Sequence, residues 1–313
     1  MKKVLNNILY GVTYTLFYAL SLLPFRALYI ISDCLYLLIY KLVGYRKKIV
    51  RKNIATSFPD KSRKEHINIE RRFYHWFCDY FVETIKLLSI SPGQMSRHME
   101  FRNIEEVEEC FDNGQSCAAI LGHYCNWEWL SAVGMAYIRH KDTASGLIYH
   151  PLYSDTFNRL FISLRSHLGG ICIPKNEILR YLLKYKKEQR HSLFGYISDQ
   201  VPKWENIHLW LDFLNHDTPV FTGGERIMQK MNNAVFYVDM ERTRRGHYTC
   251  TFRLITKTPG DLPKYEITRT FFKMLEQSVR RDPSCYLWTH NRWKRTHKEY
   301  DSRVARGEIR VRE

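Results

Sequence analysis

The stretch Cys117–Leu130, CAAILGHYCNWEWL, decides how the rest of the chain is read. Its first five residues form a strand-like run that ends at Gly122. His123 follows in what reads as a loop. Asn126 takes an N-cap position before Trp127, and Glu128 falls in the first helical turn.

On either side of it, short apolar runs alternate with helical stretches. Strands are expected at Cys117–Leu121, Ser145–Tyr149, Leu193–Ser198, Ala234–Met240 and His247–Ile255. Helices are expected at 104–112, 127–139, 155–168, 176–187, 223–231 and 264–280. This alternation predicts an α/β fold, a sheet with helices on its faces. Upstream, Ile69, Phe73, Trp76, Phe77, Tyr80, Phe81, Ile85 and Leu88 recur at three- and four-residue steps, the stripe of an amphipathic helix over 64–88 that packs into a core. No internal repeat is visible. The expected organisation is an N-terminal membrane element (1–45), a helical segment (46–100), a catalytic unit (101–296) and a charged tail (297–313).

The chain has 313 residues, and 48 Lys and Arg against 32 Asp and Glu leave a net charge of +16. At 45% hydrophobic residues it is globular, not disordered. A mean hydropathy of −0.39 excludes a polytopic membrane protein. The charge excess points to a polyanionic partner: nucleic acid, an anionic membrane face or an acidic protein. The 21 Tyr, 17 Phe and 7 Trp suit single-stranded nucleic acid and a lipid interface equally. The 8 Cys form no C-x-x-C pair and no zinc-type spacing with His, so reduced thiols and no metal site are expected.

Residues 4–25 carry no charge, long enough for a membrane span although Asn6, Asn7, Gly11, Thr13 and Thr15 dilute it. Residues 27–40, interrupted by Asp33, read as an interfacial or protein-packed helix. No small-x-small cleavage site follows, so 4–23 reads as a retained anchor and not as a signal peptide. The cluster Arg46, Lys47, Lys48, Arg51, Lys52 behind it outweighs Lys2 and Lys3 before it, which places the body on the cytoplasmic side.

The spacing His123-x4-Glu128 carries chemistry only if His123 lies in the loop. On one helix, five positions would separate the two side chains by about 140°. From the loop, Glu128 can reach the ring, fix its tautomer and support the imidazolium formed when the other nitrogen takes a proton. That is a general base for a hydroxyl. Cys125, two residues away, opens a second possibility, a thioester-forming nucleophile. Phe221-Thr222-Gly223-Gly224 before a helix could hold an anion but lacks the Gly-Lys-Ser/Thr of a nucleotide loop. The Arg292–Arg295 cluster reads as a solvated face that could also meet phospholipid.

With these residues in view, GHYCNWEW at 122–129 resembles the His-x4-Asp/Glu box of glycerolipid acyltransferases. More narrowly, it is similar to the late lauroyl- and myristoyl-type acyltransferases of lipid A biosynthesis. IYHPLYSDTFNRLFISLRSHLGG (148–170), FGYISDQ (194–200), PVFTGG (219–224) and CYLWTHNRWKRT (285–296) resemble further family blocks, as do Arg51-Lys52-Asn53 and Phe58-Pro59. They occur in order across nearly the whole chain. His150 stands where the family usually has Arg, Cys125 where it has Gly, and Val201-Pro202 where a glycine turn is usual.

The resemblance implies a glycerolipid-acyltransferase-like mixed sheet flanked by helices, with an N-terminal membrane-anchoring helix. It implies transfer of a fatty acyl chain from an acyl carrier protein thioester to a hydroxyl of a lipid A precursor. His123 is then the base and Glu128 its orienting residue. Arg165 and Asp199 match the other functional positions, with Asn126 and Arg159 beside them as substrate-contact candidates. The thioester is a co-substrate, so no cofactor or metal is expected. The implied partners are the carrier protein, the glycolipid acceptor and the anionic inner-membrane surface on its cytoplasmic side, and not nucleic acid. Another acceptor, a lysophospholipid or a phosphatidylinositol-mannoside-like glycolipid served by acyl-CoA or acyl carrier protein, stays open.

Overall fold

The computed structural model describes residues 2–309. Its centre is a seven-stranded sheet of β1 (Met99–Arg102), β2 (Cys117–Leu121), β3 (Ala144–Tyr149), β4 (Ile171–Pro174), β5 (Ser192–Ile197), β8 (Ala234–Arg244) and β9 (His247–Thr256). The order is β1-β9-β8-β2-β5-β3-β4, and every pairing is parallel except the β8–β9 hairpin. The intervening β6 (Trp210–Asp212) and β7 (Asp217–Pro219) form a small antiparallel ribbon of their own. The expected mixed sheet flanked by helices is therefore present. All five residues of β2 are buried, as a strand covered on both faces requires.

The helices are α1 (Lys2–Leu22), α2 (Phe25–Tyr36), α3 (Lys47–Ser57), α4 (Arg63–Lys86), α5 (Pro92–His98), α6 (Ile104–Asp112), α7 (Asp155–Ser166), α8 (Ile178–Lys187), α9 (Gly223–Met231), α10 (Glu266–Arg281) and α11 (His297–Ala305). In α4, Ser62 opens the helix with a reciprocal capping box to Glu65, and Phe73, Trp76 and Phe77 on its inner face join the core shared with β2, β5 and β8. The stretch expected as helix 127–139 is a 3₁₀ helix over Trp127–Met135. Asn126 does not cap it; its amide donates instead to Glu83 Oε2 at 2.8 Å. Just ahead of the charged tail, Thr296 caps α11 by accepting from the Glu299 amide; residues 310–313 of that tail lie outside the described residues.

Two arrangements position the site. First, β2 and β5 are parallel neighbours with Leu121 paired to Ile197, so the residues two positions beyond each pair, 123 and 199, leave the same edge of the sheet side by side. Second, the loop after β2 is clamped by the C-terminal segment. Leu287 N donates to His123 O (3.1 Å), Cys125 N donates to Cys285 O (2.9 Å), and Tyr124 bridges Tyr286 in antiparallel fashion. That segment is held in turn from α3, where Asn53 Nδ2 donates to the carbonyls of Trp288 and His290. Arg46 Nη1 donates to Thr289 O, and Phe58 meets Trp288 edge-on at 5.9 Å. The Arg51-Lys52-Asn53 and Phe58-Pro59 motifs thus brace a loop more than two hundred positions away.

Among the described residues, no single helix is long and apolar enough to cross a membrane. The single span expected at 4–23 is accordingly not found. The pair Val4–Leu22 and Phe25–Val43 passes only jointly, with a bend of 116° between its halves. The polar residues that dilute α1 explain why it falls short alone. One side of α1 packs on α7, with Tyr10 Oη 3.1 Å from Ser163 Oγ, while Lys86 Nζ donates to the Ser21 and Leu23 carbonyls. The other side leaves Val4, Leu5, Ile8, Leu9, Val12 and Leu16 exposed.

Candidate active site

Gly122 follows β2 at a crowded position: a Cβ there would lie 2.8 Å from the Leu275 side chain and 3.4 Å from Asp199 Cγ. His123 follows, its ring meeting Trp127 edge-on at 5.0 Å. Its Nδ1 lies 2.6 Å from Asp199 Oδ1. The carboxylate can only accept, so Nδ1 donates, and in the neutral ring Nε2 is then the nitrogen that carries the lone pair. The His123 side chain is 18% exposed against 3% for Asp199, so the imidazole faces outward from a buried carboxylate. Burial pushes the Asp199 carboxyl up, but His123 and Arg292 outweigh it and hold it below the usual range.

The orienting partner differs from the one expected. Glu128 makes no hydrogen bond to His123; Asp199, seventy-six residues away, does. Glu128 turns into the protein. It accepts from Arg165 Nε at 2.6 Å and Nη2 at 2.8 Å, with Trp127 Nε1 at 3.2 Å and the Tyr80 hydroxyl at 3.4 Å. Burial would raise its carboxyl, yet the Arg165 guanidinium keeps it below the ordinary value, and the nearby His123 adds in the same direction. Glu128 therefore stays ionised and influences the imidazole through charge without touching it.

Arg165, on the last turn of α7, belongs to this cluster. Arg159 does not. Its guanidinium stacks on Tyr10 at 3.8 Å and donates to Asn7 Oδ1 at 2.9 Å, which ties α7 to α1. Asn126 is fully buried; its amide donates to Glu83, and its Oδ1 has no partner among the described residues. Tyr248 also donates to Glu83, whose carboxyl burial raises to about 7.

Two nearby groups were not expected. Gln200 Nε2 lies 3.1 Å from His123 Nε2. Arg292, read from sequence as part of a solvated cluster, is 1% exposed. Its Nη2 donates to Pro219 O at 2.7 Å, while Nε and Nη1 have no partner among the described residues. Burial lowers it to about 10, against the pull of Tyr286 and Asp199. Its charge helps to hold Asp199 ionised. The only sequence signal for this was its place in the CYLWTHNRWKRT block.

Compared with protein-family models, residues 3–295 match the bacterial lipid A biosynthesis acyltransferases. The chain belongs to that family. It is an acyltransferase, and the His123 loop lies inside the matched region. A comparison with curated proteins finds no match. Among the described residues no group of His, Cys, Asp or Glu is arranged to hold a metal ion.

Cys125 of the acyltransferase sits in the left-handed region at φ 51°, a conformation that favours glycine, the residue usual at this place in the resemblance above. Its thiol is fully buried, and burial raises it well above its ordinary value, so a thiolate is not at hand. Cys125→Ala is expected to retain acyl transfer within about threefold, a small change next to the 10²–10⁴-fold that general-base catalysis contributes. Loss of turnover, together with acyl label trapped on Cys125 in the parent protein, would establish a thioester route instead.

Proposed function

We propose that the enzyme is a membrane-anchored O-acyltransferase that moves a fatty acyl chain from an acyl carrier protein thioester to a hydroxyl of a lipid A precursor. The observation that carries this reading is the Asp199–His123 pair at the carboxyl edge of the sheet, in a chain of this family. His123 Nε2 takes the proton of the acceptor hydroxyl as the oxygen attacks the thioester carbonyl. Asp199 holds the tautomer and supports the imidazolium. The ionised Glu128 adds to that support from a distance. The tetrahedral intermediate then expels the thiolate, which takes the proton back from His123 Nε2. No covalent enzyme intermediate and no resident cofactor enters the sequence of steps.

The bent pair α1–α2 serves as the membrane element in this reading. Its exposed apolar side chains, continued by Leu37, Leu38, Leu42 and Val43 beyond α2, would seat in the bilayer without crossing it. Arg46, Lys47 and Lys48, which follow directly, would meet anionic headgroups on the cytoplasmic face of a bacterial inner membrane. The same basic surplus suits an acidic carrier protein and a phosphorylated acceptor, and leaves nucleic acid without a role.

Mass spectrometry of lipid A from cells lacking this chain tests the reading. Loss of one secondary acyl chain, restored by the parent protein and not by His123→Ala, is the expected result. Unchanged lipid A would move the acceptor to another lipid. Restoration by His123→Ala would remove the general base from the mechanism.

A further inference from the structure

The lone pair of His123 Nε2, on which the proposed reaction depends, is not free. The Gln200 carboxamide lies against it, Nε2 to Nε2 at 3.1 Å. Asp199 occupies Nδ1 at 2.6 Å as an acceptor, so the ring is protonated there, and in the neutral ring the Gln200 amide is placed to donate to the remaining nitrogen. Both nitrogens of the base are therefore satisfied before any substrate arrives. Gln200 follows Asp199 directly, on the irregular segment between β5 and the short 3₁₀ turn Trp204–Asn206. The residue that orients the base and the residue that caps it share one stretch of backbone.

We infer that Gln200 is a latch on the catalytic base: its amide keeps water off His123 Nε2 until an acceptor hydroxyl displaces it. This rests on the reading of His123 as the base. The exchange trades one N–H···N bond for one O–H···N bond, so an acceptor aligned by the rest of its binding energy can make it. A lone water, without that binding energy, competes poorly. The consequence matters for a thioester enzyme. An imidazole open to water would activate it for hydrolysis of the acyl donor whenever no acceptor is bound. The carboxamide also suits the second half of the cycle. Turned over, its oxygen can accept from the Nε2–H of the imidazolium, so the same side chain fits either protonation state of the ring.

The test uses the full chain and two readouts. Diethyl pyrocarbonate acylates the unprotonated imidazole nitrogen, which here is Nε2, and peptide mass spectrometry resolves His123 from the other histidines. Removing one hydrogen bond of ordinary strength from that nitrogen should raise the His123 modification rate in Gln200→Ala about fivefold. In the absence of acceptor, hydrolysis of a synthetic acyl-pantetheine thioester should rise by a similar factor. His123→Ala/Gln200→Ala should abolish that rise. Gln200→Asn, one methylene too short to reach the ring, should behave like Gln200→Ala. Unchanged labelling, or faster labelling without faster hydrolysis, overturns the latch. The labelling readout needs no turnover, so it stands even where His123→Ala keeps transfer activity and the general-base reading itself fails.

Discussion

Asp199→Asn is expected to lower kcat by about 10³- to 10⁴-fold with little change in melting temperature, the scale seen when a buried carboxylate behind a catalytic imidazole becomes an amide. The reason lies in what the amide can present. Asp199 Oδ1 accepts from His123 Nδ1 at 2.6 Å and fixes the proton on that nitrogen. An asparagine can turn its NH₂ toward the ring instead, which would place the imidazole proton on Nε2 and remove the lone pair the acceptor needs. It also offers no charge to balance the imidazolium. Shape and volume are nearly conserved, so the fold is spared. The comparison that decides the matter is Glu128→Gln. Should Glu128→Gln abolish turnover with its melting temperature intact while Asp199→Asn stays active, the His-x4-Glu spacing would be the working pair and Asp199 a bystander.

That comparison bears on how much of this enzyme is legible in its sequence. The long, strongly patterned elements were readable: β2, β5, β8, β9, α4, α6 and α9 lie within a few residues of where periodicity places them. The strands β1, β4, β6 and β7 are three or four residues long, too short for alternation to separate from loop. His123 was legible because a histidine at a strand end stands out. Its partner was not, because local spacing favours a carboxylate five residues on. The true geometry depends on β2 and β5 lying in register, Leu121 against Ile197, which no local pattern encodes.

Arg292 shows the same limit from the other side. A basic cluster reads as solvated by default. In the fold, where the C-terminal segment clamps the His123 loop with α3 behind it, that guanidinium is buried against Pro219 and its charge acts on Asp199. The Arg-Lys-Asn and Phe-Pro motifs near residue 55 were visible as motifs, yet their task of bracing residues 288–290 emerges only in three dimensions.

The second large effect concerns stability. Arg165→Met should destabilise the protein by about 3–5 kcal/mol, because it strands Glu128 as an unpaired charge in the interior. Glu128 is 2% exposed, and its two carboxylate oxygens take both hydrogen bonds of the Arg165 fork, at 2.6 and 2.8 Å. Its remaining partners, Trp127 Nε1 and the Tyr80 hydroxyl, are neutral and longer. Neither can supply the charge that holds its carboxyl ionised. With Arg165 gone, the site must either bury a bare carboxylate or protonate it, and both cost stability near neutral pH. An exposed ion pair of the same helix gives the contrast: that of Arg159, more than a third exposed, with Asp155 at 3.8 Å should contribute no more than about 1 kcal/mol, apart from the Arg159 contacts to Tyr10 and Asn7. The decisive measurement is a double-mutant cycle by denaturant unfolding. Glu128→Gln/Arg165→Met, which removes both charges and keeps most of the volume, should recover the larger part of the loss, with a coupling of about 2 kcal/mol or more. Simple additivity of the two single variants would mean that the pair does not hold the core together, and would return Arg165 to the substrate-contact role that its place in the sequence first implied.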